Sequence, residues 1–164
     1  MRFRESDEAA LIREATQAFV KHEGAQPQGW LGPYFSQSRV TPDLLKEAGY
    51  VYTLDWHNDD QPYWLDTRAG KLLNVPYPPE MNDAAVIQHR MGGPSEFADQ
   101  IVDEFDEMVR LSKDRPLVCP VALHTFLVGR PFRIQEKIDH LSLRLSIGVD
   151  VTIVDPANYA KYDH

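Results

Sequence analysis

Apolar positions along this chain follow two alternating rhythms, one of helical and one of strand spacing, and their alternation points to a layered α/β domain. Between Ser6 and Glu23 the residues Leu11, Ile12, Ala15, Ala18 and Phe19 recur at helical spacing, with acids early and Lys21 late, so the segment reads as an amphipathic helix that needs a partner. After a loop over 24–29, Trp30-Leu31-Gly32-Pro33 reads as a strand end that turns at Gly-Pro. In TPDLLKEAG (41–49) Thr41 can cap a helix, Pro42 suits its first position and Gly49 can end it in the left-handed conformation. YVYTLDW (50–56) is aromatic and β-branched, hence a strand. A hairpin about Arg68-Ala69-Gly70 leads into a strand over Leu72 to Val75, and PYPPEMND (76–83) reads as extended loop. Phe97, Ile101, Phe105 and Met108 define a second amphipathic helix, capped by Ser95, with Asp99, Asp103, Glu104 and Glu107 on its polar face. PLVCPVALH (116–124) is nearly all apolar, as a strand covered on both faces would be. A helix over 133–145 and a strand VDVTIV (149–154) complete the order, which predicts a single α/β domain over 1–164 with mainly parallel strands.

Charge narrows the function more than composition does. The 164 residues carry 17 Lys+Arg against 25 Asp+Glu, a formal charge of −8, which repels phosphate backbones and anionic membrane surfaces, so neither nucleic acid nor membrane is an expected partner. The single cysteine, Cys119, cannot form an internal disulfide, and the charged start MRFRESDEAAL lacks the apolar core of a signal peptide. A cytoplasmic setting is the expectation.

Chemistry in parallel α/β sheets gathers where strands deliver their C-terminal ends. Trp30, the acidic stretch LDWHNDDQP (54–62) and His124 all fall at such ends and could converge on one rim. His124 closes an apolar segment that favours a neutral imidazole able to exchange protons near neutral pH, although a hydrogen-bonded scaffold histidine would occupy the same place. Asp55, Asp59 and Asp60 could orient that ring, bind a metal, accept from a substrate, or simply close a solvated turn. Trp30 and Trp56 suit the wall of a pocket for a sugar or a small polar amide as well as they suit core packing; Tyr63 and Trp64, on the hairpin, read as packing. His22, His57, His89, His124, His140 and His164 show no HxxxH or HxH spacing, so no self-contained metal site is expected. Cys119 reads as a buried small hydrophobe.

The ordered segments QPQGWLGP (26–33), LDWHNDDQPY (54–63) and ALHTFLVGRP (122–131) resemble the later motifs of the polysaccharide deacetylase superfamily, most closely its allantoinase-like branch, and PYPPEMND is similar to a loop of that branch. The resemblance runs from about Glu8 to Tyr162. It implies the C-terminal half of a distorted (β/α) barrel of the glycoside hydrolase/deacetylase type, whose metal-binding aspartate and HxxxH histidines lie in the N-terminal half. By that likeness His124 matches the general acid that protonates the leaving nitrogen, and Leu123 helps form its pocket. Asp55 with Trp56 matches an aspartate-tryptophan motif supporting the catalytic machinery, and Trp30 lines the cleft, while Asp59 and Asp60 belong to the substrate-side rim. The family commonly has an arginine where this chain has Gln26, which removes a charge partner for Asp55.

The implied function is part of a metal-dependent hydrolase of non-peptide carbon–nitrogen bonds acting on an amide, ureide or N-acetyl sugar. The divalent zinc or manganese would not be bound by this chain alone, which is expected to be inactive by itself. A partner chain supplying the N-terminal half-barrel, and self-association to a homo-oligomer, are both expected from exposed strand edges. A binding or regulatory module derived from the same family is the rival reading. A weaker rival is an independent metal hydrolase built on Asp55, Asp59 or Asp60 with His57 or His124.

Overall fold

A computed structural model of the chain describes residues 4–115 and 117–133. The strand expected over 149–154 lies outside the described residues, as does the helix expected over 133–145 beyond Arg133. Contacts divide the chain into two compact units, which among the described residues comprise 4–58 with 62–76, and 59–61 with 77–133.

The first unit holds helix α1 (Glu5–Glu23), strand β1 (Gly29–Trp30), helix α2 (Thr41–Glu47) and strands β2 (Tyr52–Thr53), β3 (Tyr63–Thr67) and β4 (Gly70–Asn74). The strand order is β1-β2-β4-β3. β1 runs parallel to β2 and β2 parallel to β4, while β3 folds back antiparallel on β4 as the hairpin expected about Arg68-Ala69-Gly70. This mixed α/β arrangement with a mostly parallel sheet is the expected class.

Its core joins Ile12 of α1, Leu44 and Leu45 of α2, Tyr50 and Leu72, with Trp30 and Leu65 packed against them. Leu45 and Leu72 are fully buried, each contributing roughly 1.5–3 kcal/mol relative to an exposed leucine. Thr16 ties α1 to this core through a 2.8 Å hydrogen bond with the Tyr50 hydroxyl. Gly49, with φ +89°, ends α2 in the left-handed conformation read from the sequence. Arg68 fastens the hairpin tip to both helices: its backbone N–H donates to Asp43 at 2.8 Å, and its guanidinium reaches Glu5 and Glu47 at 2.6 and 3.0 Å.

The second unit is built on helix α3 (Pro94–Leu111), whose buried Phe97 and Ile101 pack with Met81 and Val86. The same unit holds a 3-10 turn (Pro79–Met81), a π-helix (Ala84–His89) and a short helix α4 (Thr125–Val128).

Several local expectations are corrected. The strand over 50–56 shrinks to Tyr52–Thr53. Among the described residues 117–124 of PLVCPVALH there is no ladder strand: their one bridge joins Ala122 to Asn82, 117–121 is half-buried, and Pro120 has no N–H to give a ladder. PYPPEMND is not wholly extended, since it includes the 3-10 turn. The cap positions are Val40 for α2 and Gly93 for α3, not Thr41 and Ser95. Thr41 lies one residue inside its helix, where its hydroxyl still accepts the Ser38 N–H at 2.8 Å. On α1 only Ile12 of the expected apolar face is buried; Leu11, Ala15, Ala18 and Phe19 are exposed. Among the described residues no helix is long and apolar enough to cross a membrane.

Candidate functional site

In the first unit, consecutive strand ends converge on Asp55. β2 stops at Thr53, and Asp55, only 1% exposed, follows two residues later. Its Oδ1 accepts the Gly32 N–H at 2.7 Å and its Oδ2 accepts the Thr53 hydroxyl at 3.3 Å. Burial pushes the Asp55 carboxyl above its usual range, opposed by these two donors. Gln26 donates its side-chain amide to the Ala48 carbonyl at 2.7 Å. Among the described residues Asp55 therefore has neutral partners and no cation.

Space explains why residue 32 is glycine. A Cβ there would stand 2.7 Å from the Ser36 carbonyl oxygen and 3.2 Å from Asp55 Oδ1. The backbone then makes a strained turn: Tyr34 and Phe35 have φ of 53° and 54°, the left-handed region that bulky residues avoid. The turn is held by Gln37, whose amide donates to the Asp55 carbonyl at 3.0 Å. On the other side, fully buried Asn74 at the end of β4 donates to the Trp56 carbonyl at 2.7 Å. That bond fixes the amide orientation and leaves Asn74 Oδ1, like Trp56 Nε1, buried without a partner among the described residues.

The other candidates of the acidic stretch have separate places. Asp59 is exposed and accepts the Gln61 N–H at 3.1 Å, an Asx turn. Asp60 is exposed, and its carbonyl receives the Val118 N–H at 3.4 Å. Trp30 sets its ring edge-on to Tyr50 at 5.5 Å and is half-buried in the core cluster. His57 is exposed and meets Phe35 edge-on at 5.4 Å.

In the second unit the feature that sequence reasoning missed is Asp83. The PYPPEMND segment ends on it, yet nothing local distinguishes a buried partner acid from a loop acid. Asn82 bridges to Ala122, Ala122 N–H donates to Met81 at 2.8 Å, and Asp83 N–H donates to Ala122 at 3.1 Å. This short parallel register carries His124 onto the fully buried Asp83 carboxylate. The His124 backbone N–H donates to Oδ2 at 2.8 Å, and its Nδ1 lies 2.6 Å from Oδ1. A carboxylate can only accept, so Nδ1 carries the hydrogen and Nε2 is the position free to exchange a proton. The imidazole is 37% exposed, so a solute can reach it. Leu123 is half-exposed beside it, and Phe126 meets the ring edge-on at 5.4 Å. Tyr77, whose hydroxyl is raised chiefly by burial and also by the Asp83 charge, stands in the same neighbourhood.

Cys119 is half-buried, and burial, helped by Glu104, pushes its thiol to about 11, which leaves almost no thiolate at neutral pH. Among the described residues no group of three His, Cys, Asp or Glu could hold a metal ion, so their donor set does not fit a divalent-metal site.

The mostly parallel sheet with polar groups at its strand ends is the architecture of part of a (β/α) barrel, and solved structures place it more narrowly. The chain superposes on Puue allantoinase with a TM-score of 0.83 at 24% identity, over 99% of this chain and 56% of that one. A protein of Pseudomonas aeruginosa PAO1 described as a probable polysaccharide deacetylase gives 0.83 at 25% identity, over 97% and 53%. A Mycobacterium smegmatis protein with a similar provisional description gives 0.81 at 22%, over 97% and 57%. The chain thus carries the fold of the polysaccharide deacetylase superfamily and spans little more than half the length of these relatives. No protein-family model matches it, and no curated protein matches it significantly.

Proposed function

We propose that this chain supplies the proton-transfer half of a hydrolase acting on non-peptide carbon–nitrogen bonds, with His124 as general acid and Asp83 as the residue that positions it. The observation that carries the reading is the two-point grip of one buried carboxylate on the His124 backbone and ring. Held so, the ring keeps its Nδ1 hydrogen on Asp83, and once Nε2 has taken up a second proton the imidazolium can pass that proton to a departing nitrogen and return to the neutral ring. An amine or ureide nitrogen is a poor leaving group until protonated, which is the need such a histidine meets. The relatives named an allantoinase and polysaccharide deacetylases support a small polar amide, ureide or N-acetyl sugar as substrate. The zinc or manganese of the complete reaction would be held by residues beyond those described, in a complementary half of the barrel. Asp55 and Trp56, with Asp59, Asp60, Leu123 and Trp30, are retained in this reading as catalytic support and substrate-side groups.

Hydrolysis of allantoin and of N-acetylglucosamine oligomers, with zinc or manganese added, tests this. The chain would be assayed alone and after assembly, verified by sedimentation, with the part of the Pseudomonas aeruginosa relative that this chain does not span. Turnover only in the assembled mixture, lost on His124→Ala, supports the proposal. Turnover by the chain alone, turnover indifferent to His124→Ala, or an assembled but inert mixture overturns it, the last in favour of a binding module.

A further inference from the structure

Beside the imidazole of His124 stands a large side chain that the fold does not use. Phe126 is 63% exposed and belongs to neither core cluster of the described residues. Its neighbour Leu127 is the residue that α4 buries, and a polar residue at 126 would leave that anchor intact. Among the described residues the ring contact of Phe126 is with His124 alone, at 5.4 Å between ring centres and 63° between planes. Both rings ride on one turn. His124 is the N-cap of α4, its carbonyl accepts the Leu127 and Val128 N–H groups at 2.9 Å, and the Arg133 guanidinium donates to the Leu127 carbonyl at 3.2 Å. The backbone that carries the phenyl ring is thus tied to the residue whose own ring Asp83 holds.

This placement says what meets the phenyl ring. A nitrogen that takes a proton from the imidazole comes within about 3 Å of it, and the two rings adjoin where both are open to solvent. The group that bears the nitrogen is therefore delivered beside Phe126. From 121 to 129 no residue but His124 can carry a charge, and the Asp83 carboxylate is fully buried and engaged by His124. The phenyl ring offers a flat, uncharged surface on which the face of another ring can stack, whereas an acyclic amide covers less of it and a charged group would lose water without gaining a counter-ion.

We propose that Phe126 is a specificity-determining residue that receives the ring bearing the scissile nitrogen, and so selects an uncharged, ring-borne amide or ureide over an acyclic one. The inference rests on the hydrolytic reading of His124, and measuring binding apart from turnover separates the failure of one from the failure of the other. Saturation-transfer spectra of the chain with allantoin, with N-acetylglucosamine oligomers and with acyclic N-acetylethanolamine are the first test. At least one ring ligand should receive saturation from the parent chain, lose it in Phe126→Ala and keep it in Phe126→Tyr, while N-acetylethanolamine receives little from any of them. In the assembled enzyme Phe126→Ala should raise KM for that ligand on the order of 10-fold with kcat held within about 2-fold, the signature of lost uniform binding. The urea midpoint and the His124 ring tautomer should not move. No ring ligand bound by the parent, binding indifferent to Phe126→Ala, equal saturation of N-acetylethanolamine, or a loss that falls on kcat would overturn the proposal. Binding that depends on Phe126 in an assembly without turnover would support the stacking site while overturning the hydrolytic reading.

Discussion

Two aspartates are buried almost completely among the described residues, and they differ in what holds them. Asp55 in the first unit is met by a backbone amide and a hydroxyl, and burial is the largest influence on its carboxyl, which is raised. Asp83 in the second unit is met by a backbone amide and by an imidazole that reaches solvent. The first arrangement ties strand ends together and offers no group that can carry a proton away. The second places a titratable ring between a fixed acceptor and the surface. Burial of an acid is therefore no mark of chemistry by itself; the partner it orients decides.

The strongest way to break this comparison is to alter Asp83. Asp83→Ala removes two hydrogen bonds from a fully buried carboxylate and strands the His124 N–H, which should cost about 2–4 kcal/mol of stability by urea titration. Asp83→Asn is subtler. Its oxygen can still accept the backbone N–H, but its amide would donate to the ring, moving the imidazole hydrogen from Nδ1 to Nε2. Nitrogen-15 spectra of the neutral ring should show that exchange of tautomers, and assembled activity should fall by on the order of 100-fold or more. An unchanged tautomer would remove Asp83 from its positioning role.

On the Asp55 side the corresponding test is steric. Gly32→Ala inserts a Cβ 2.7 Å from the Ser36 carbonyl oxygen, in a turn already strained at Tyr34 and Phe35. Backbone cannot yield there as a flexible side chain would, so a loss of about 1–3 kcal/mol is expected from chemical denaturation. The Asp83–His124 pair should keep its ring tautomer in this variant. A neutral Gly32→Ala would show that the close approach of Gly32 to Asp55 is dispensable.

Much of the first unit was legible from sequence because its signals are local. Helical spacing gave α1, Pro42 and Gly49 bracketed α2, and the hairpin followed from residues 68–70. The class of fold followed from the order of these elements, and the ordered motifs pointed to the superfamily whose fold the chain shares. What stayed illegible depends on residues far apart. Asp83 and His124 are 41 positions apart, and no periodicity joins them; only the Asn82–Ala122 bridge does. The PLVCPVALH run misled because hydrophobicity reports burial, not pairing, and Pro120 denies the ladder a donor. Of the expected site residues, Asp55 and Trp56 share one hydrogen-bonded rim with Gly32 and Asn74, whereas Trp30 joins the core and Asp59 closes a turn.

The smallest expected effect sharpens the contrast through pH. The carboxyl of Asp55 is raised in the fold, so the native state binds its proton more tightly than the unfolded chain does. Its contribution to stability is fully present below the ordinary carboxylate range, around pH 4, and is lost as pH rises through the raised folded value. Asp55→Asn cannot lose a proton, and its amide can still accept from Gly32 and donate to Thr53. Relative to the parent, this variant should therefore gain stability steadily as pH is raised from about 3 to 7, measured by urea midpoints across that range. A difference independent of pH would mean that Asp55 ionises without cost to the fold, and the distinction between a desolvated strand-end acid and a positioning acid would then rest on Asp83 alone.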